Sequence, residues 1–169
     1  PFGGRMEGGS SPAGVLATAD RVYVSNAHND TITVLDARSR QAVAEIALRI
    51  PGLESLRGVM PIGLALHEAT GWLLVTEAGI NAIGVVDVKQ NKLIGHLPAA
   101  WFPSTIRLWK ETVYVGNAKG HGTGPNAARE GQRMRTFQAD MRRGVLQMFP
   151  LPTPDELPAL TQRVYANNG

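Results

Sequence analysis

The sequence predicts an all-β fold made of a recurring four-strand unit, and three observations carry that prediction. First, 19 glycines and 11 prolines punctuate 169 residues, a density that suits short strands joined by turns better than long helices. Second, a five-residue strand end recurs: Tyr23-Val24-Ser25-Asn26-Ala27, Leu74-Val75-Thr76-Glu77-Ala78 and Tyr114-Val115-Gly116-Asn117-Ala118. Third, the match between the first two extends in register at an offset of 51, with Thr31–Asp36 on Ala82–Asp87 and Val43 and Ile46 on Ile94 and Leu97. A four-strand unit of roughly 40–50 residues is the blade of a propeller. The fold class is therefore a partial β-propeller of about three four-stranded antiparallel blades, with a long basic insertion in the third.

The elements follow in order. Residues 1–11, rich in Gly and Ser, read as a flexible N-terminal segment. The first blade, about 12–49, places strands near 13–18, 21–26, 31–36 and 42–48. The second, about 58–99, places them near 62–67, 72–77, 82–87 and 92–97. Ala27-His28-Asn29-Asp30, Asp36-Ala37-Arg38-Ser39, Ala78-Gly79-Ile80-Asn81 and Asp87–Asn91 supply turns between them. Pro12, Pro61 and Pro103 each open a unit. The third blade, about 101–151, has strands near 104–108, 112–117 and 144–149, separated by an insertion, 119–143, in which Ala127–Met141 could form a short helix. Residues 152–169 are a tail. Three blades do not close a ring, and closure is what protects blade faces and edges. The expected partner is thus the remainder of the propeller or, less simply, a second chain.

The formal charge of +3 gives no case for nucleic acid. No apolar run approaches the roughly 20 residues of a membrane span. With no cysteine, disulfides and thiolate metal sites are excluded. His28, His67, His96 and His121 match no zinc-ligand spacing, no Gly-x-Ser-x-Gly elbow is present, and Gly120–Pro125 lacks the residues of a phosphate loop. No catalytic, cofactor-binding or metal residue is assigned, and no cofactor is expected.

Asn26 and Asn117 read as turn formers at strand ends, as do Asp36 and Asp87. Trp72, Trp101, Phe102 and Trp109 read as blade-to-blade packing. The insertion is the candidate site. Lys119, Arg129, Arg133, Arg135, Arg142 and Arg143 stand against Glu130 and Asp140, so the positive charge of the chain is local to this loop. Lys119, His121, Arg133, Arg135, Arg142 and Arg143 are the candidates for binding an anion or an acidic partner; a merely solvated basic loop is the competing reading.

The strand ends Tyr23-Val24-Ser25-Asn26 and Tyr114-Val115-Gly116-Asn117 resemble the YVTN family of β-propellers, with Leu74-Val75-Thr76-Glu77 a looser variant. Longer strings give a narrower resemblance: Asn81–Asp87, Leu93–Pro98, Trp101-Phe102-Pro103-Ser104, Gly116–Asn126 and Thr161–Asn168. In this order they are similar to bacterial proteins that fuse a YVTN propeller to an alkaline-phosphatase-family phosphoesterase domain. The resemblance implies the last part of a propeller, a phosphoesterase neighbour, and a periplasmic or extracellular location. It transfers no catalytic residue, because such chemistry needs a Ser or Thr nucleophile beside a cluster of Asp and His that holds metals, and the sequence shows no such cluster. The function expected is a non-catalytic binding or scaffold module. The alternatives are a lactonase-type propeller enzyme with a central-channel site and a cell-surface adhesive repeat protein.

Overall fold

A computed structural model describes residues 10–120 and 144–169. It contains three antiparallel sheets of 4, 4 and 3 strands. The first blade is β1 (Pro12–Ala17), β2 (Arg21–Asn26), β3 (Thr31–Asp36) and β4 (Ala42–Ala47). The second is β5 (Pro61–His67), β6 (Trp72–Glu77), β7 (Ala82–Asp87) and β8 (Lys92–Pro98). Each runs in plain sequence order across its sheet, the meander that a four-strand repeat joined by hairpin turns must give. The third blade holds β9 (Trp101–Trp109), β10 (Thr112–Gly120) and β11 (Val145–Pro150), with β10 in the middle. It therefore has three strands among the described residues, not the four of its neighbours.

First strands pack on first strands, β1 on β5 and β5 on β9, while β4 and β8 barely meet. The blades thus fan outward from their first strands. Between blades one and two lies a core of Tyr23, Ile32, Val34, Ile46, Leu73 and Val75; between two and three lies one of Leu74, Ile83, Val85, Ile106, Val113 and Val115. The alternation of the strands explains the pairing. In β6, Leu73 and Val75 face one neighbour and Leu74 faces the other, so the whole strand is buried.

Polar clasps join the blades at one end. Asp30, fully buried, accepts the Gly58 and Met60 N–H groups, both at 2.8 Å, through its two carboxylate oxygens. The repeat-related Asn81 accepts the Phe102 N–H at 2.9 Å. Both clasp residues have left-handed backbones, with φ of 53° and 54°, a conformation that Asp and Asn tolerate better than most residues. Ser11, Met60 and Phe102, each just before a unit-opening proline, are left-handed too. Ser11 and Met60 stand immediately before β1 and β5, while Phe102 is the second residue of β9, where the pairing with β10 shifts register. Ser25 adds a bridge of its own, donating to Ile62 O at 2.7 Å while accepting from Gly14 N at 2.8 Å.

The tail contains a helix, α1 (Leu157–Asn168), where the sequence reading placed only a tail. The signal was present: Leu157, Leu160, Thr161 and Val164 have helical spacing, and Pro158 sits in the first turn, where its missing N–H costs nothing. The helix runs along β8, the outer edge of the middle blade. The wedge between fanning blades is widest there, and α1 helps fill it on both sides. Leu157 joins the core between blades two and three, and Val164 the core between one and two. Thr161 Oγ accepts the β8 edge N–H of His96 at 2.9 Å, occupying a group that an open edge would leave free.

Asp30→Ala orphans two backbone donors and should cost about 3 kcal/mol in urea unfolding, whereas Asn81→Ala, with one neutral and exposed bond, should cost about 1 kcal/mol.

Candidate binding face

The two ends of the blades differ. One end carries short connections, at 18–20, 37–41, 68–71, 88–91, 110–111 and 151–156. There Asp36 accepts from the Arg38 and Ser39 N–H groups at 3.1 and 2.8 Å, and Asp87 from those of Lys89 and Gln90 at 2.8 and 3.1 Å. The Ser39 bonds hold the Asp36 carboxyl below its ordinary range. Both aspartates are turn formers. At this end Arg21 pairs with Asp36 at 2.9 Å, and His67 Nε2 lies 3.3 Å from Glu111 Oε1.

The opposite end carries every long connection: the blade junction at 48–60 and the segment 121–143, which replaces the four-residue turn of the other blades. Insertions collected on one face of a repeat protein commonly mark its binding face. Of the candidate basic residues, Lys119 is described. It lies near the end of β10, its Nζ 4.5 Å from the Phe102 ring centroid and 5.3 Å from that of Trp101. The structure thus puts a cation against two aromatics at the mouth of the insertion. His121, Arg129, Arg133, Arg135, Arg142 and Arg143, with the expected helix at Ala127–Met141, lie outside the described residues. His28 is at the same end, its Nδ1 3.1 Å from Ser11 Oγ.

Two readings need correction. Asn26 and Asn117 do not cap turns. Their amides are buried and cross to the next strand, Asn26 Nδ2 to the Thr31 and Thr33 hydroxyls at 3.1 and 2.8 Å, and Asn117 Nδ2 to Gln147 Oε1 at 3.0 Å. The side chain of a strand's last residue lies over the sheet, not over the turn, so these amides tie strands together. The aromatics also divide. Trp72 packs in the core between blades two and three, but Trp101 is 39% and Trp109 64% exposed. Trp109 lies on the outward face of blade three with Tyr114 and Met148, where no described blade covers it.

Glu77 and His96 were missed. They occupy the positions of Asn26 and Glu45 in the first blade. Both are buried, Glu77 at 0% and His96 at 1%, with Oε2 of the acid 2.8 Å from Nδ1 of the imidazole. Glu77 Oε1 and His96 Nε2 have no hydrogen-bond partner among the described residues. Gly84 stands between them in the sheet, and a Cβ there would come within 2.5 Å of Glu77 Oε1. The missing side chain lets the carboxylate reach across β7 to β8. Tyr165 of α1 meets the His96 ring edge-on, centroids 5.5 Å apart. Burial and the nearby Glu77 push its phenol above the ordinary range. The sequence signal was the departure from the repeat, Glu where the other units have Asn.

No family model matches the chain, and no curated protein matches it. Solved structures do. A hydrazine synthase of Kuenenia stuttgartiensis aligns with a TM-score of 0.57 and 22% identity over 69% of this chain and 32% of its own. A streptogramin B lyase aligns at 0.52 and 19% over 88% and 43%, and virginiamycin B lyase from Staphylococcus aureus at 0.54 and 14% over 86% and 43%. The chain thus spans less than half the length of each. At these identities the likeness is one of fold, and the fold is that of a β-propeller.

Gly84→Ala should destabilise the chain by about 2 kcal/mol in chemical denaturation, whereas Gly52→Ala at the exposed junction, where nothing lies within 4 Å of a new Cβ, is limited to the strain of its positive φ, about 1 kcal/mol.

Proposed function

We propose that this chain is an arc of a larger β-propeller that binds an anionic ligand or acidic partner at its insertion end, acting as a binding module without chemistry of its own. The observation that carries the reading is the asymmetry between the ends. The long connections leave the strands at one end, and the sequence of the longest, 121–143, holds five arginines, while the other end is closed by short turns and the Arg21–Asp36 ion pair. Lys119 against Trp101 and Phe102 supplies a basic and aromatic threshold to the 121–143 segment. Arg133, Arg135, Arg142 and Arg143, with His121, supply the remaining donors; guanidinium groups suit phosphate or carboxylate acceptors because they bond in pairs.

The larger propeller is supported by the two outward sheet faces. Val15 and Val43 on blade one and Trp109, Leu146 and Met148 on blade three are all more than half exposed, on strands whose opposite faces pack as blade interfaces. Further blades are the natural cover for such faces. The resemblance to YVTN–phosphoesterase fusions adds a candidate for the acidic or phosphate-bearing partner, and with it a periplasmic or extracellular setting.

An enzymatic reading is the second one, favoured by the lyases among the structural neighbours. It predicts turnover of lactones, phosphate esters or streptogramin B by the purified chain; the binding reading predicts none. Replacing Arg133, Arg135, Arg142 and Arg143 together by Ala should weaken retention on immobilised inorganic polyphosphate at least about tenfold, flatten its salt dependence, and leave the unfolding midpoint unchanged. Unaltered retention would remove the proposal.

A further inference from the structure

We propose that the Glu77–His96 pair is a proton-sensitive latch that holds α1 on the middle blade. The pair sits beneath the helix, on the face of blade two that meets blade one. Tyr165 covers the imidazole from α1, and Thr161 of the same helix accepts the His96 N–H. Asn168 anchors the far end of α1 by donating to Ile80 O at 3.1 Å. The latch is therefore tied to the helix by its own backbone and by the ring above it.

The charge argument follows from burial. With one proton shared between carboxylate and imidazole, the pair is neutral as a unit. A second proton leaves a buried imidazolium without its anion. Removal of the proton leaves a buried carboxylate without its cation. Each orphan charge is costly where water is excluded. Gly84 on β7 and the Tyr165 phenol of α1 lie against the pair, and the other buried acid of this end, Asp30, is already held by two N–H donors, one of them from Met60, next to the Pro61 that pairs with Glu77. Among the described residues no lysine or arginine pairs with Glu77, and no second acid pairs with His96. Among the described residues Glu77 Oε1 and His96 Nε2 already lack partners, so these offer the site no further hydrogen bond.

The weakest element around the pair is the helix. The strands of blade two are held in a four-strand ladder, whereas α1 is held by Leu157, Leu160 and Val164 in the cores, the Tyr165 contact and a few polar bonds. Undocking α1 lets water reach the pair at the least structural cost. The latch thus opens on either side of its single-proton state, and it frees Leu157 and Val164 from the two cores they help fill.

The test is amide exchange of residues 157–168 in the full chain, expressed as protection factors between about pH 4 and pH 9. Protection should peak at intermediate pH and fall at least about tenfold at both limits, while β6 and β7 hold theirs. The double variant Glu77→Gln, His96→Gln should give a flat profile. Tyr165→Phe should keep the bell shape, since the phenol is not the sensor. A flat wild-type profile overturns the proposal. So does a double variant that keeps the bell shape, or loss of the alkaline limb in Tyr165→Phe. The wild-type profile decides the matter even if a variant fails to fold.

Discussion

The blades are held in sequence by backbone donors that one unit offers and the preceding unit accepts. Asp30 takes Gly58 and Met60, and Asn81 takes Phe102. Each clasp needs a left-handed Asp or Asn in one turn and a left-handed residue before a proline in the next unit. The geometry is costly for any single residue, yet it is met twice at the same repeat position. It holds the start of each following first strand against the preceding blade, beside the two cores between them.

This arrangement decides which connections are free to vary. A clasp requires only that the donor N–H arrive at the right place. The chain between clasp and donor can be of any length, and in the junction at 48–60 it is long. The segment after β10 is longer still and carries the arginines. At the other end the hairpin turns are closed by their own aspartates, and an insertion there would break the bonds that make the turn. The end that carries the long connections thus follows from how the blades are joined.

The middle blade departs from its neighbours in three coupled positions. Glu77 replaces an asparagine, Gly84 replaces Thr33, and His96 replaces Glu45. Any one alone would leave a buried group unmatched or a clash in the sheet. Together they move the polar link from the third strand to the fourth, next to the helix. This is where reading the sequence reached its limit. The strands were legible because strand residues alternate and the repeat keeps register, and β2, β3, β6 and β7 lie where the pattern put them. The unit-opening prolines were legible as well. The pair was hidden because a carboxylate and an imidazole 19 residues apart meet only once three strands are aligned. The helix was hidden because it is short, with only Leu157 and Val164 fully buried along its 12 residues. Asn26 and Asn117 were misread because residue type alone does not tell a strand's last side chain from a turn's first. Of the candidate basic site, Lys119 was found in strand β10, and the aromatic contacts it makes were not foreseen.

The central claim is that one end of the arc binds anions and the other does not. Titration of the chain with inorganic polyphosphate, followed residue by residue by NMR, tests it directly. The account predicts shifts at His28, the Trp101 indole, Lys119 and the 121–143 segment, with Arg38, Lys89 and Lys110 unmoved. Shifts spread over both ends, or centred on the tight-turn end, would contradict it.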